Sequence, residues 1–218
     1  MQPPDESALA DGASPTDDFA HIQRHFDVRI KATVAILQPS DYYIGQPGEI
    51  LSTVLGSCVA ACIRDARLKI GGMNHFMLPT QGDGFGGAGS SSWSPTRFGD
   101  IAMPCLVGEL LRRGAHLADL QVKLVGGAKV IDTLSDVGAG NIQFVRDYLR
   151  REGLRVLGED LGDRYPRRVL YDPATGTVRV KRLPRGAPQQ LAGKLRSLRD
   201  AGENSVCNAT EQIGRAHV

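Results

Sequence analysis

Residues 59–78 read VAACIRDARLKIGGMNHFML, two apolar runs around a short polar break. Few arrangements of backbone accommodate that pattern. Val59–Ile63 has the length of a buried strand, Arg64-Asp65-Ala66-Arg67 interrupts it, and Leu68–Leu78 resumes it. The pair predicts an antiparallel hairpin. With the turn centred between Ala66 and Arg67, residues whose numbers sum to 133 face each other, and Cys58 then opposes His75. Directly opposed residues share a face, with Cβ atoms roughly 4.5–5.5 Å apart. A histidine so placed can take the proton of a thiol and turn it into a nucleophile. Gly71-Gly72 is the weak point, because glycine in a strand often marks a bulge that shifts the register.

The approach to Cys58 is Ser52-Thr53-Val54-Leu55-Gly56-Ser57. Regular alternation gives Ser52 the parity of Cys58 and puts Thr53 on the other face. Ser52 is therefore the hydroxyl expected to meet the pair, with Thr53 as the alternative. Gly56 allows close backbone approach, and the amides of Gly56, Ser57 and Cys58 are candidate oxyanion donors. A zinc site is the competing use of Cys58, Cys62 and His75. In a strand the two sulfurs lie roughly 13 Å apart, too far for two bonds of about 2.3 Å to one ion. No C-x-x-C pair is present to suggest redox chemistry. The expectation is catalysis by side chains, with no metal and no cofactor.

Composition narrows the class. A chain of 218 residues is long enough for one domain with a real core. A net charge of +2 gives no case for nucleic acid, and no apolar run is long enough for membrane insertion. The four cysteines, at 58, 62, 105 and 207, are too sparse for a disulfide framework, and no secretory signal opens the chain. A cytoplasmic protein with a working thiol is expected. Residues 1–27 are acidic and rich in Pro, Ser and Ala, and read as a disordered tail, with Ile22 and Phe26 able to dock where the fold begins. Residues 28–183 form the expected domain, and 184–218 a polar, flexible tail.

Within that domain the pattern predicts an α+β fold, with mixed or antiparallel sheet inside and two or more helices outside. Gln81–Asp100 is a long polar loop holding Phe85 and Trp93, of the kind that serves as a lid. Asp100 is placed to cap a helix with Pro104 in its first turn. A second helix follows Gly138, with Ile142, Val145 and Leu149 inward. Basic residues, Arg167 and Arg168 among them, gather late and read as a solvated strand face.

LGSCVAACIRD followed by IGGMNHFMLP resembles the signature of CheD, the chemoreceptor glutamine deamidase family of bacterial and archaeal chemotaxis. The likeness runs from about Lys31 to about Leu183 and includes DYYIG from Asp41, RFGDIAM from Arg97, LVGGAKV from Leu124 and GNIQFVRDYL from Gly140. It implies a layered sandwich similar to that of toxin deamidases. It also implies a cysteine nucleophile at Cys58, a histidine at His75 and an upstream hydroxyl at Ser52, with Thr53 adjacent. The substrates implied are glutamine side chains on the cytoplasmic helices of methyl-accepting chemotaxis proteins. The phosphatase CheC is implied as a further partner. The alternatives are another cysteine hydrolase, such as a peptidase or methylesterase, and a non-catalytic module that binds CheC.

Overall fold

A computed structural model of the protein describes residues 19–81, 94–130 and 136–184. Among the described residues, ten strands form two five-stranded sheets. The first contains β1 (Gln23–Asp27), β2 (Ala32–Ile36), β4 (Glu49–Leu55), β9 (Arg167–Asp172) and β10 (Thr177–Arg182), adjacent in that order. The second runs β3 (Tyr42–Ile44), β6 (Ile70–Asn74), β5 (Val59–Asp65), β7 (Leu120–Gly126) and β8 (Arg155–Leu161). Both are mixed, since β2 pairs with β4 and β7 with β8 in parallel while the other pairs are antiparallel. Helices α1 (Gly99–Arg112) and α2 (Val137–Arg151) pack on the second sheet. The α+β layered class expected from the sequence is therefore present.

Alternation along β5 builds two cores. Val59, Ala61 and Ile63 pack with Phe76 and with Met103, Leu106 and Val145 of the helices. Ala60 and Cys62 point the other way and join Leu51, Leu55, Val169 and Tyr171 of the first sheet. Residues on that second face lie between the sheets, and there the site is built.

The glycines in β6 cause no bulge, and the ladder from Asp65↔Ile70 to Cys62↔Met73 is regular. They are present because backbone passes close by. A Cβ on Gly72 would lie 2.5 Å from both the Tyr43 carbonyl oxygen and Ile44 Cδ1. Gly72→Ala should thus overpack the strand, at a cost of about 1–3 kcal/mol, and lower the melting temperature by about 3–10 °C. An unchanged thermal melt would contradict that close fit.

Several expectations need correction. Residues 19–27 belong to the fold rather than to a tail. Phe19 and Ile22 are buried, with the Phe19 ring edge-on to Tyr42 and Tyr43, whereas Phe26 is exposed. Arg24 donates to Glu49 (3.0 Å) and to the Tyr43 hydroxyl (2.9 Å), and Tyr43 donates to Glu49 at 2.8 Å. This network secures β1, which a reading of hydrophobicity alone passes over. Asp100 does not cap α1: the helix starts at Gly99, Asp100 instead accepts from the Gln81 N–H, and Pro104 lies beyond the first turn. Arg167 is not solvated but fully buried, bonded to Asp160 at 2.9–3.0 Å and to the Tyr165 carbonyl. Phe85, Trp93, Cys207 and the expected C-terminal tail beyond Pro184 lie outside the described residues.

Candidate active site

The register of the β5–β6 hairpin differs from the one expected. Paired residues sum to 135, with Cys62 opposite Met73 and an isolated bridge between Val59 and Phe76. His75 therefore comes opposite Ala60, and Cys58 is its diagonal neighbour rather than its direct partner. Asp65 causes the shift. Its carboxylate accepts from the N–H groups of Arg67 (2.8 Å) and Leu68 (3.0 Å), and the turn spans Ala66–Lys69, with Lys69 in the left-handed region at φ 56°. A shift of the sum by two preserves parity, so Cys58 and His75 still share the face between the sheets. The thiol is partly exposed and packs on that core, while the imidazole beneath is 2% exposed.

Thr53, not Ser52, meets His75. Thr53 Oγ1 lies 2.8 Å from His75 Nδ1 and donates to the Leu37 carbonyl, also at 2.8 Å. β4 and β5 belong to different sheets, so strand parity does not carry across Gly56-Ser57. On β4 it is Leu51, Thr53 and Leu55 that face the second sheet, and Ser52 turns to the opposite face, where it too is buried. The two hydrogen bonds also set the tautomer. The single hydroxyl proton of Thr53 is committed to Leu37, so its oxygen accepts from Nδ1–H. Nε2 is left with a lone pair, and it is buried with no partner among the described residues. Such a nitrogen is a base ready to receive a proton.

The segment leading to Cys58 is held by its carbonyls. Gly56 C=O accepts from Ala128 N–H (2.9 Å), and Cys58 C=O from Gly127 N–H (2.7 Å). Ser57 C=O accepts from Asn141 Nδ2 (3.0 Å), which also donates to Met77 C=O at 2.9 Å. Gly126, at φ +120°, approaches so closely that any Cβ there would collide with the Cys58 carbonyl. Trans amides point opposite to their carbonyls, so the Ser57 and Cys58 N–H groups face away from these anchors, and neither donates to the backbone of another described residue. Gly126-Gly127 is the glycine pair of the LVGGAKV motif. Asn141 is not singled out by motif, although a polar residue on the inward stripe of α2 (Gly138, Asn141, Val145) is a signal of its kind.

Burial pushes the Cys58 thiol up to about 11, with its own backbone N–H opposing the shift weakly, and lowers His75 to about 4. Both groups are neutral at rest, and no thiolate–imidazolium pair is preformed. The rate of alkylation of Cys58 by iodoacetamide is accordingly expected to climb with pH through the range of about 7–10. A rate independent of pH from about 5 to 8 would instead mark a preformed ion pair. His75 also makes the fold acid-sensitive. Its folded value lies below its unfolded 6.5, so its contribution is complete above that pH and is lost as pH falls through about 4.

Fold and site together define a class: a two-sheet α+β sandwich with a thiol, an imidazole and a hydroxyl gathered where the chain crosses between its sheets. The family model described as CheD chemotactic sensory transduction matches residues 77–182, beginning just after His75. A protein of Halorhodospira halophila named as a probable chemoreceptor glutamine deamidase CheD is 45% identical over 168 residues, covering 77% of this chain and 78% of that protein. Proteins of the same name from Thiobacillus denitrificans and Xanthomonas campestris pv. campestris are 43% and 42% identical. They cover 82% of this chain each, and 92% and 87% of their own lengths. The chain belongs to the CheD family. Among the described residues no helix is long and apolar enough to cross a membrane.

Proposed function

We propose that the protein is a chemoreceptor glutamine deamidase that works through Cys58, His75 and Thr53. The observation that carries this reading is the Thr53–His75 bond, which leaves Nε2 unprotonated on a ring that shares its sheet face with Cys58. The thiol attacks the carboxamide carbon of a glutamine side chain as His75 Nε2 takes its proton. The Nδ1–H bond to Thr53 steadies the imidazolium that forms. Ser57 and Cys58 N–H groups receive the oxyanion. Nε2–H then protonates the amide nitrogen, the C–N bond breaks, and ammonia leaves a thioester on Cys58. Water gives a proton to Nε2, attacks the thioester and releases glutamate, and the thiol is regenerated. The net reaction consumes one water and yields one ammonia.

The substrate must reach a partly exposed thiol beside the strands of the second sheet, so its glutamine has to project from a convex surface. The exposed cytoplasmic helices of chemoreceptors suit that need, and a CheC phosphatase is the further partner implied by the family resemblance. Incubation with a receptor cytoplasmic fragment should raise its mass by about 1 Da per modified glutamine, with ammonia released and the backbone intact. Cleavage of the chain, loss of a methyl ester or an unchanged mass would overturn the reading.

A further inference from the structure

Asn141 sits within α2 yet reaches two loop segments of the second sheet, the one that enters β5 and the one that leaves β6. Its side chain is fully buried, and both Nδ2 hydrogens are used, one on the Ser57 carbonyl and one on the Met77 carbonyl. Ser57 immediately precedes the nucleophile, and Met77 lies two residues beyond His75. The amide cannot be turned over, because Oδ1 would then face two other acceptors. As it stands, Oδ1 has no partner among the described residues. A side chain selected only for packing has no need of that buried, unpaired oxygen.

We propose that Asn141 is a positioning residue. By holding the Ser57 carbonyl it fixes the Ser57–Cys58 peptide plane, and so aims the Cys58 N–H at the oxyanion that forms when Cys58 attacks. The plane is rigid and trans, so an anchored carbonyl dictates where the N–H on its other edge points. Gly127 and Ala128 anchor the neighbouring carbonyls through backbone, which most substitutions leave in place. Asn141 is the side-chain anchor of the three. Its second bond, to Met77, ties that plane to the segment that follows β6 and carries His75, so donor and base keep one relative position. As an account of glutamine turnover this rests on the deamidase reading, but the placement of the N–H does not.

Two reagents separate positioning from simple support of the fold. Acylation of Cys58 by p-nitrophenyl acetate passes through a tetrahedral oxyanion, whereas alkylation by iodoacetamide is displacement at a saturated carbon and forms none. Asn141→Ala and Asn141→Ser are expected to slow acylation by about 10-fold or more while alkylation stays within about threefold. Asn141→Asp, which presents acceptors to both carbonyls, should be the worst of the three. Deamidation of a receptor fragment should fall in kcat with KM little changed. Equal losses in acylation and alkylation would mean that Asn141 only supports the fold, and unchanged acylation in the folded Ala and Ser variants would also refute the proposal. A wild-type protein that acylates normally but deamidates no receptor glutamine would sink the deamidase reading and leave the assignment of Asn141 standing.

Discussion

His75→Ala is expected to lower kcat/KM for glutamine deamidation by about 10²–10⁴-fold, the usual worth of a positioned general acid–base. The proposed acylation half-reaction needs two proton transfers, off the thiol and onto the departing nitrogen, and Nε2 is the group proposed for both. The loss should be severe because burial keeps Cys58 protonated at rest, so no thiolate persists without a base beside it. Removal of a buried ring also leaves a cavity, so His75→Gln is the sharper variant. It fills similar space and can still donate to Thr53, but an amide accepts no proton near neutral pH. Comparable loss in both variants, with the Gln protein folded, would assign the effect to proton transfer. Activity of His75→Gln within about tenfold of wild type would remove His75 from the chemistry.

Thr53→Val should reduce kcat by about 10–100-fold, while Ser52→Ala should change it less than about threefold. Valine keeps the shape of threonine but removes both the acceptor for Nδ1–H and the donor to Leu37. His75 can then adopt the other tautomer, with its proton on Nε2 and no lone pair toward the thiol. Thr53→Ser restores the oxygen and should recover most of the rate. The free carbonyl of Leu37 adds about 1–2 kcal/mol of destabilisation in the valine variant. Rates measured well below its melting temperature separate that cost from catalysis. A larger effect at Ser52 than at Thr53 would reverse the assignment, because Ser52 faces away from the space between the sheets.

The hairpin and the shared face of Cys58 and His75 could be read from alternation because period-two parity survives an even shift of register. The register itself could not. It depends on Asp65 taking two turn amides, a side-chain bond that hydropathy does not record. The identity of the hydroxyl was beyond parity for another reason: Ser52 and Thr53 lie on a strand of one sheet and Cys58 at the edge of the other, so no single alternation covers both. The same limit hid β1, whose residues are mostly polar and exposed but whose Arg24 is secured by Glu49 and Tyr43. Asn141 is 83 residues from Cys58 in sequence, and only the packing of α2 on the second sheet brings it near. Local patterns thus predicted elements and faces, while contacts between sheets decided which polar atoms meet.

Formation of a thioester on Cys58 is the step on which the whole account depends. Rapid quenching of the wild-type protein with a glutamine-bearing receptor peptide, followed by mass analysis of its fragments, should find an adduct on Cys58. Its mass should be that of the substrate less ammonia, about 17 Da below simple addition. His75→Gln should accumulate little of it, and Cys58→Ala none, with ammonia release abolished in both. An adduct on Cys105, or ammonia released by Cys58→Ala at the wild-type rate, would contradict the account.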